Sequence, residues 1–305
     1  MTTSPGQTTE QTIPGSGLLQ TRRQRRLISR GIRYFIALIL IIFAVAPVLW
    51  VIGASLNPAK SLVGGTIWPK NASLINFDQL FNHPQYDFEG WLLNSFKVSG
   101  ISTILTVLIT ISAGYALSRF RFKGKEHFQT AILIINVFPA ILAMVALRSM
   151  FQQIGLFIEQ IGLDSHGALI LIYTSGAMGI NVLMVKAFID TIPLDIDESA
   201  RVEGASHFQT FRYIIFPMII PMTITVGVLT FMVSYADFII ARVIIQSMDK
   251  LTVMVGLNLF TTIRFDVDFG MLTAGAIIAA IPIILIYIPL QKYVIGGLTA
   301  GAVRA

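Results

Sequence analysis

The stretch Asp190-Thr-Ile-Pro-Leu-Asp-Ile-Asp-Glu-Ser-Ala-Arg-Val-Glu-Gly-Ala-Ser-His-Phe-Gln-Thr-Phe-Arg212 decides the fold, because it is a charged island between two long apolar runs. Asp195 can cap a helix, with Glu198 three residues on reaching back to the open end. Residues 196–203 then supply about two turns, and Gly204 stands where a helix stops in the left-handed conformation. Ser206 and Gln209 repeat the capping pattern and start a second helix through Phe211 toward Pro217. Two short capped helices meeting at a glycine look more like a docking knob than an idle connector.

The flanking runs show what the knob is attached to. His166 and Lys186 bracket 19 uncharged residues, and Arg212 and Asp237 bracket 24. Further out, Arg33 and Lys60 bracket 26, Lys97 and Arg119 bracket 21, His127 and Arg148 bracket 20, and Phe269–Gln291 adds 23. A bilayer crossing needs about 20 mostly apolar residues. The sequence therefore predicts an all-α polytopic membrane protein with six spans, near 34–55, 93–117, 129–147, 167–185, 213–236 and 270–290. The alternating ten-residue pattern of a membrane β-barrel is absent. Composition agrees: of 305 residues 54% are hydrophobic and 12% charged, and the mean hydropathy is +0.74. A soluble domain carries about 25% charged residues, so a soluble enzyme, a disordered chain and a coiled coil are excluded.

With the N-terminus inside, 15 Lys and Arg fall on inner segments and 7 on outer ones, so both termini are expected in the cytosol. The knob then lies on the cytosolic face between spans 4 and 5. Residues 1–30 read as a disordered basic tail, 31–295 as the membrane domain with its loop at 190–212, and 296–305 as a cytosolic tail. The Arg22–Arg33 cluster could in principle meet nucleic acid, but beside a span it reads as an anchor to anionic lipid. The first apolar run is too long for a signal-peptide core, so it is retained. Outer segments run near 57–91, 148–166 and 237–269, the first rich in aromatics that suit either the interface or a partner.

Chemistry is conspicuous by its absence. The chain has no cysteine, and His83, His127, His166 and His207 are too scattered for a metal cluster. There is no phosphate-binding G-x-x-x-x-G-K-[ST] loop, so any ATP driving this protein is hydrolysed by another chain. The spans carry no ionisable residue at mid-depth, which argues against a proton- or sodium-coupled carrier. Asn136, Asn181, Ser234 and several threonines serve either as hydrogen-bonding glue between helices or as pore lining.

Glu198-Ser199-Ala200, Glu203-Gly204-Ala205, Ile214 and Pro217 resemble, with matching spacing, the Glu-Ala-Ala…Gly…Ile…Pro loop of binding-protein-dependent ABC importer permeases. Here Ser199 replaces the usual Ala and Glu203 the usual Asp. Asn94-Ser95-Phe96-Lys97-Val98, Phe138-Pro139-Ala140, Gly162–Gly167 and Gly297–Val303 look most like the MalG-type permeases of maltose/maltodextrin importers. The resemblance spans roughly residues 90–305.

That resemblance implies a permease subunit in a bacterial or archaeal cytoplasmic membrane, not itself an enzyme. Glu198, Ser199, Ala200, Glu203, Gly204 and Ala205 would form a coupling helix against a separate ATPase dimer, which uses the ATP and Mg. Gly297, Leu298, Thr299, Ala300 and Gly301 would reach between the ATPase subunits. Asn258, Thr261, Thr262 and Asp266 would lie in an outer loop entering the sugar cleft of an extracytoplasmic binding protein, unless that segment is an ordinary polar turn. A second, different permease would complete the pathway and form most of the sugar site. The alternatives are a permease for another carbohydrate or polyol, a stand-alone secondary carrier, and a membrane scaffold without transport.

Overall fold

Each apolar run satisfies its own backbone within a helix, as hydrocarbon requires. The computed structural model describes residues 16–59, 68–137, 140–262 and 268–300, and among them it is helical with no strand. The helices are α1 (Ser16–Ser55), α2 (Ile75–Phe81), α3 (Phe88–Arg119), α4 (Lys125–Val137), α5 (Ala140–Gly155) and α6 (His166–Asp190). They continue as α7 (Leu194–Val202), α8 (His207–Thr210), α9 (Phe216–Tyr235), α10 (Ile239–Ile244), α11 (Val253–Thr262) and α12 (Phe269–Ala300).

Five helical stretches are long and apolar enough to cross a membrane: Arg30–Ser55, Phe88–Arg119, His166–Asp190, His207–Tyr235 and Phe269–Tyr293. The span expected at 129–147 differs from the others. It is a pair, Lys125–Val137 and Leu142–Gly155, set at 104°, and it makes a sixth crossing if the two act as one. The sequence between them carries Pro139, which has no N–H to donate to a helical ladder. The N-terminal expectation also needs correcting. Helix α1 starts at Ser16, so residues 16–30 are helical rather than disordered, in keeping with their Leu, Arg and Gln content. Residues 1–15 lie outside the described residues.

Helix α3 is the centre of the bundle, packed on α6 and α9, while α9 packs on α12 and α1 leans on α12. Small residues make this possible. The buried face of α3 includes Ser95, Ser99, Ser102, Thr106, Thr110 and Gly114, a spacing of three to four residues that keeps them on one side. A Cβ on Gly114 would sit 2.7 Å from Val185 Cγ1 and 3.2 Å from the Lys186 nitrogen, so α6 approaches too closely for any side chain there. Lateral hydrogen bonds are sparse. Asn181 Nδ2 donates to Thr230 Oγ1 (3.3 Å) between α6 and α9, while the single Thr225 hydroxyl proton is shared between the Pro221 carbonyl of its own helix (2.9 Å) and the Tyr293 carbonyl of α12 (3.2 Å). Asn136 and Ser234 instead bond carbonyls of their own helices. Of the polar span residues, Asn181 thus acts as glue.

The end of the bundle bearing α10 and α11 is held by polar contacts from several helices. Trp91 Nε1 donates to the Met248 carbonyl (3.1 Å), and Asn94 Nδ2 to the carbonyls of Asp249 (2.8 Å) and Leu251 (3.1 Å). Ser95 Oγ accepts from the Val253 amide (2.8 Å), and Tyr173 donates to Asp237 Oδ1 (2.8 Å). Asp164, at φ 61°, accepts from the amides of Gln246 (2.7 Å) and Ser247 (2.9 Å) and from the Ser247 hydroxyl. Burial works against its charge, but the Ser247 and Gln246 hydrogen bonds and nearby Lys250 hold its carboxyl below the ordinary value of 3.8. A depressed carboxylate stabilises the fold above its unfolded pKa, and that contribution is lost as pH falls through the folded value. The 246–247 turn is therefore expected to stay protected at neutral pH and to open only below pH 3.8. Asp164→Asn should open it already at pH 7, measured as faster hydrogen exchange at the Gln246 and Ser247 amides.

Candidate functional site

Helix α7 starts one residue after Pro193, which occupies the capping position without any side-chain cap. The expected Asp195–Glu198 capping box does not form. Pro193, at φ −55° and ψ 138°, is the last extended residue and the helix begins at Leu194, so Asp195 and Asp197 fall inside the first turn. There they favour the positive end of the helix dipole instead of capping it.

The far end of α7 follows the sequence reading closely. Gly204 has φ +89°, its amide donates to the Arg201 carbonyl (3.0 Å), and the Ala205 amide donates to the Ala200 carbonyl (2.9 Å). This crossed pair is the Schellman closure that ends a helix on a left-handed residue. The next residue but one opens α8 with a complete capping box. The Gln209 amide donates to Ser206 Oγ (3.3 Å), and the Ser206 amide donates to Gln209 Oε1 (2.8 Å). Helix α8 does not end where a separate short helix would. It runs through a π-helical turn, Phe211–Ile215, into α9, so the knob is built onto the start of the span itself. The Phe216 amide reaches back five residues to the Phe211 carbonyl just before Pro217, whose missing N–H and ring would strain an unbroken α ladder.

The inner face of this turn is welded to the bundle. Arg119 Nε lies 3.0 Å from Asp197 Oδ2, with the two side chains only 5% and 3% exposed. Arg119 Nη2 also donates to the Ile192 carbonyl (2.9 Å). Next to it, Ser118 Oγ donates to Asp190 Oδ1 (2.5 Å), which also holds Lys186 through Oδ2 (2.6 Å). Removing one member of a buried pair typically costs about 3–5 kcal/mol, because it strands the other charge. Sequence reasoning missed this pair. The available signal was an acid at 197 between Ile196 and Ala200 on a short helix, facing the first basic residue after a span.

The outer face is open. Glu198, Ser199, Glu203 and Gly204 are exposed together, with Val202 at 90% and Phe208 at 70% exposure. Asp195, Glu198, Ser199, Val202 and Glu203 line an open concavity of about 350 Å³. Ala200 is buried and Ala205 half-buried, so these two shape the turn rather than face outward. The remaining expected site residues lie elsewhere. Asn258 and Thr261 are in helix α11 rather than a loop, and Asn258 Nδ2 donates to Thr261 Oγ1 (3.2 Å). Thr262 ends that helix, and Asp266 lies outside the described residues. Gly297, Leu298, Thr299 and Ala300 continue α12 where a separate tail was expected, while Gly301 lies outside the described residues. Among the described residues, no group of three His, Asp or Glu is placed to hold a metal.

Residues 106–298 match the family described as binding-protein-dependent transport system inner membrane component. The chain belongs to this family. Among relatives of this permease, the galactooligosaccharides transport system permease protein GanQ of Bacillus subtilis is 33% identical, covering 94% of the chain and 100% of the relative. The maltose/maltodextrin transport system permease protein MalG of Escherichia coli is 31% identical, covering 90% and 97%. The fold is shared with a solved bacterial ABC transporter involved in importing the acidic polysaccharide alginate, at TM-score 0.75 and 18% identity over 89% of this chain and 98% of that one. The permease is thus a transport subunit of the ABC importer type, with multiple helices in the membrane.

The Schellman closure gives a direct test. A β-branched side chain at φ +89° costs about 1–3 kcal/mol even though a Cβ on Gly204 meets nothing within 4 Å. Gly204→Val should insert into membranes at the wild-type level while exchanging the amides of 200–206 faster. Unchanged exchange would mean that the turn does not depend on the left-handed residue.

Proposed function

We propose that this permease forms part of the translocation pathway of an ATP-driven importer of oligosaccharides, maltose/maltodextrin-type sugars first among them. The observation that carries the reading is the α7–Gly204–α8 turn, a rigid knob with an acidic and apolar outer face and a buried ionic root. A slack connector needs neither a Schellman closure nor a capping box. In this reading Glu198, Ser199, Glu203, Val202 and Phe208 seat against a separate ATPase subunit on the cytosolic side, which binds ATP and Mg. A second, different permease subunit completes the pathway, and a soluble extracytoplasmic protein delivers the sugar. Residues 297–301 reach toward the ATPase dimer, and Asn258, Thr261, Thr262 and Asp266 face the binding protein. Closure of the ATPase dimer on ATP tilts the knob, and the helices fused to it open the pathway outward.

The sugar class rests on relatives whose names give galactooligosaccharides and maltose/maltodextrin, at 33% and 31% identity. Galactooligosaccharide import is therefore the second reading, favoured by the full-length match to GanQ.

The test is reconstitution in liposomes. Alone, the chain should hydrolyse no ATP and move no sugar. With its ATPase, partner permease and binding protein it should import labelled maltodextrins, and a panel including galactooligosaccharides ranks the substrates. Uptake driven by a proton or sodium gradient, without ATP or partners, would sink the importer reading. Reversing the exposed charge in Glu198→Arg should reduce ATPase co-purification while leaving the chain's own insertion intact.

A further inference from the structure

Helix α3 is locked at both ends and, among the described residues, makes no lateral side-chain hydrogen bond over the stretch 99–110. At one end Arg119 grips Asp197 (3.0 Å) and the Ile192 carbonyl (2.9 Å), and Ser118 holds Asp190 (2.5 Å). At the other end, Trp91, Asn94 and Ser95 hold the backbone of 248–253 through four hydrogen bonds of 2.8–3.1 Å. Between these locks lie Ser99, Ser102, Thr106 and Thr110, all fully buried against the bundle and all without a hydrogen-bond partner among the described residues. The 32 residues of α3 span about 48 Å at 1.5 Å rise per residue, enough to join the two ends of the bundle.

From this arrangement we infer that α3 is a connecting rod: Arg119 and Asp197 are positioning residues that transmit movement of the α7–α8 turn to the segment 248–253 at the opposite end. Small hydroxyl residues let α3 pack closely on α6 and α9, and over 99–110 a movement of α3 breaks no directional bond. Fixed ends and an unbonded middle are what a rigid transmitting element requires, because movement imposed at one lock is delivered at the other. The alternative carrier of the movement, α9, is continuous with α8, but α6 holds it laterally through Asn181 and Thr230. The inference rests on the proposal that the α7–α8 turn docks an ATPase.

The experiment uses the assembled transporter with its ATPase, partner permease and binding protein. Arg119→Met combined with Asp197→Leu replaces the buried pair by apolar side chains of similar volume, an exchange that is often neutral or stabilising, so the fold is retained. Asn94→Leu releases the opposite lock at an element remote from the docking turn. The readouts are ATP hydrolysed per sugar imported and the change in hydrogen exchange over 248–253 when ATP is added. The rod predicts that both variants keep the ATPase bound, raise ATP per sugar roughly tenfold, a factor within the usual range of coupling between sites, and lose the ATP-dependent exchange change. Wild-type stoichiometry and exchange in Asn94→Leu overturns the rod, whether or not the double variant assembles; so does wild-type behaviour of an assembled double variant. Glu198→Arg separates the two ideas. If it retains the ATPase and wild-type stoichiometry, the docking proposal fails; if it loses them while the lock variants stay coupled, only the rod fails.

Discussion

Hydrocarbon offers no partner for a backbone N–H or C=O, and that single constraint organises the molecule. It forces every crossing segment into a helix whose ladder closes on itself, and it drives specific polar contacts out of the middle and toward the two ends. Among the described residues, the sole salt bridge with both partners almost fully buried, Arg119–Asp197, sits at the last turn of α3. The Asp164 cluster and the Trp91–Asn94–Ser95 contacts sit at the opposite end. In the middle, packing of small side chains takes over, as the Gly114–Val185 approach shows.

This distribution also explains what the sequence made legible. Long uncharged runs announce crossing helices because insertion penalises charge residue by residue, so the runs later seen as α1, α3, α6, α9 and α12 could be read directly. Pro139 marks a break between α4 and α5 in the sequence, but the 104° angle could not be read, because an angle between helices depends on tertiary packing rather than on local apolarity. Gly204 and the Ser206–Gln209 box were readable because caps are local chemistry spanning a few residues. The Asp195 cap failed for an equally local reason, since the competing Pro193 had already set the helix start. Arg119 and Asp197 stand 78 positions apart, and no local pattern joins them. The family resemblance implies an outer loop at Asn258 and Thr261, yet the apolar face of α11 packs Leu257 and Phe260 into the core and keeps the segment helical.

Pairing a rigid knob with a buried root separates two tasks that a loop would merge. The conformation of the exposed face of α7 is set from beneath by the Schellman closure, Ala200 and Asp197. Family-typical residues at 199 and 203 are replaced here by Ser and Glu, both on the exposed face, whereas the buried Ala200 and the left-handed Gly204 match the pattern.

The π turn at Phe211–Ile215 carries a consequence for how such chains change over time. A wide turn holds one residue more than an α turn and rotates less per residue, so it takes up the extra residue while the faces on either side stay nearly in register. Had the same residue been added to the plain α ladder of α9, everything before it would swing by about 100° around the axis, since each residue turns an α-helix by that angle. Asp197 would then face away from Arg119. The π turn thus absorbs a change in length that would otherwise disconnect the knob from its root, and it does so next to Pro217, where an unbroken α ladder would be strained.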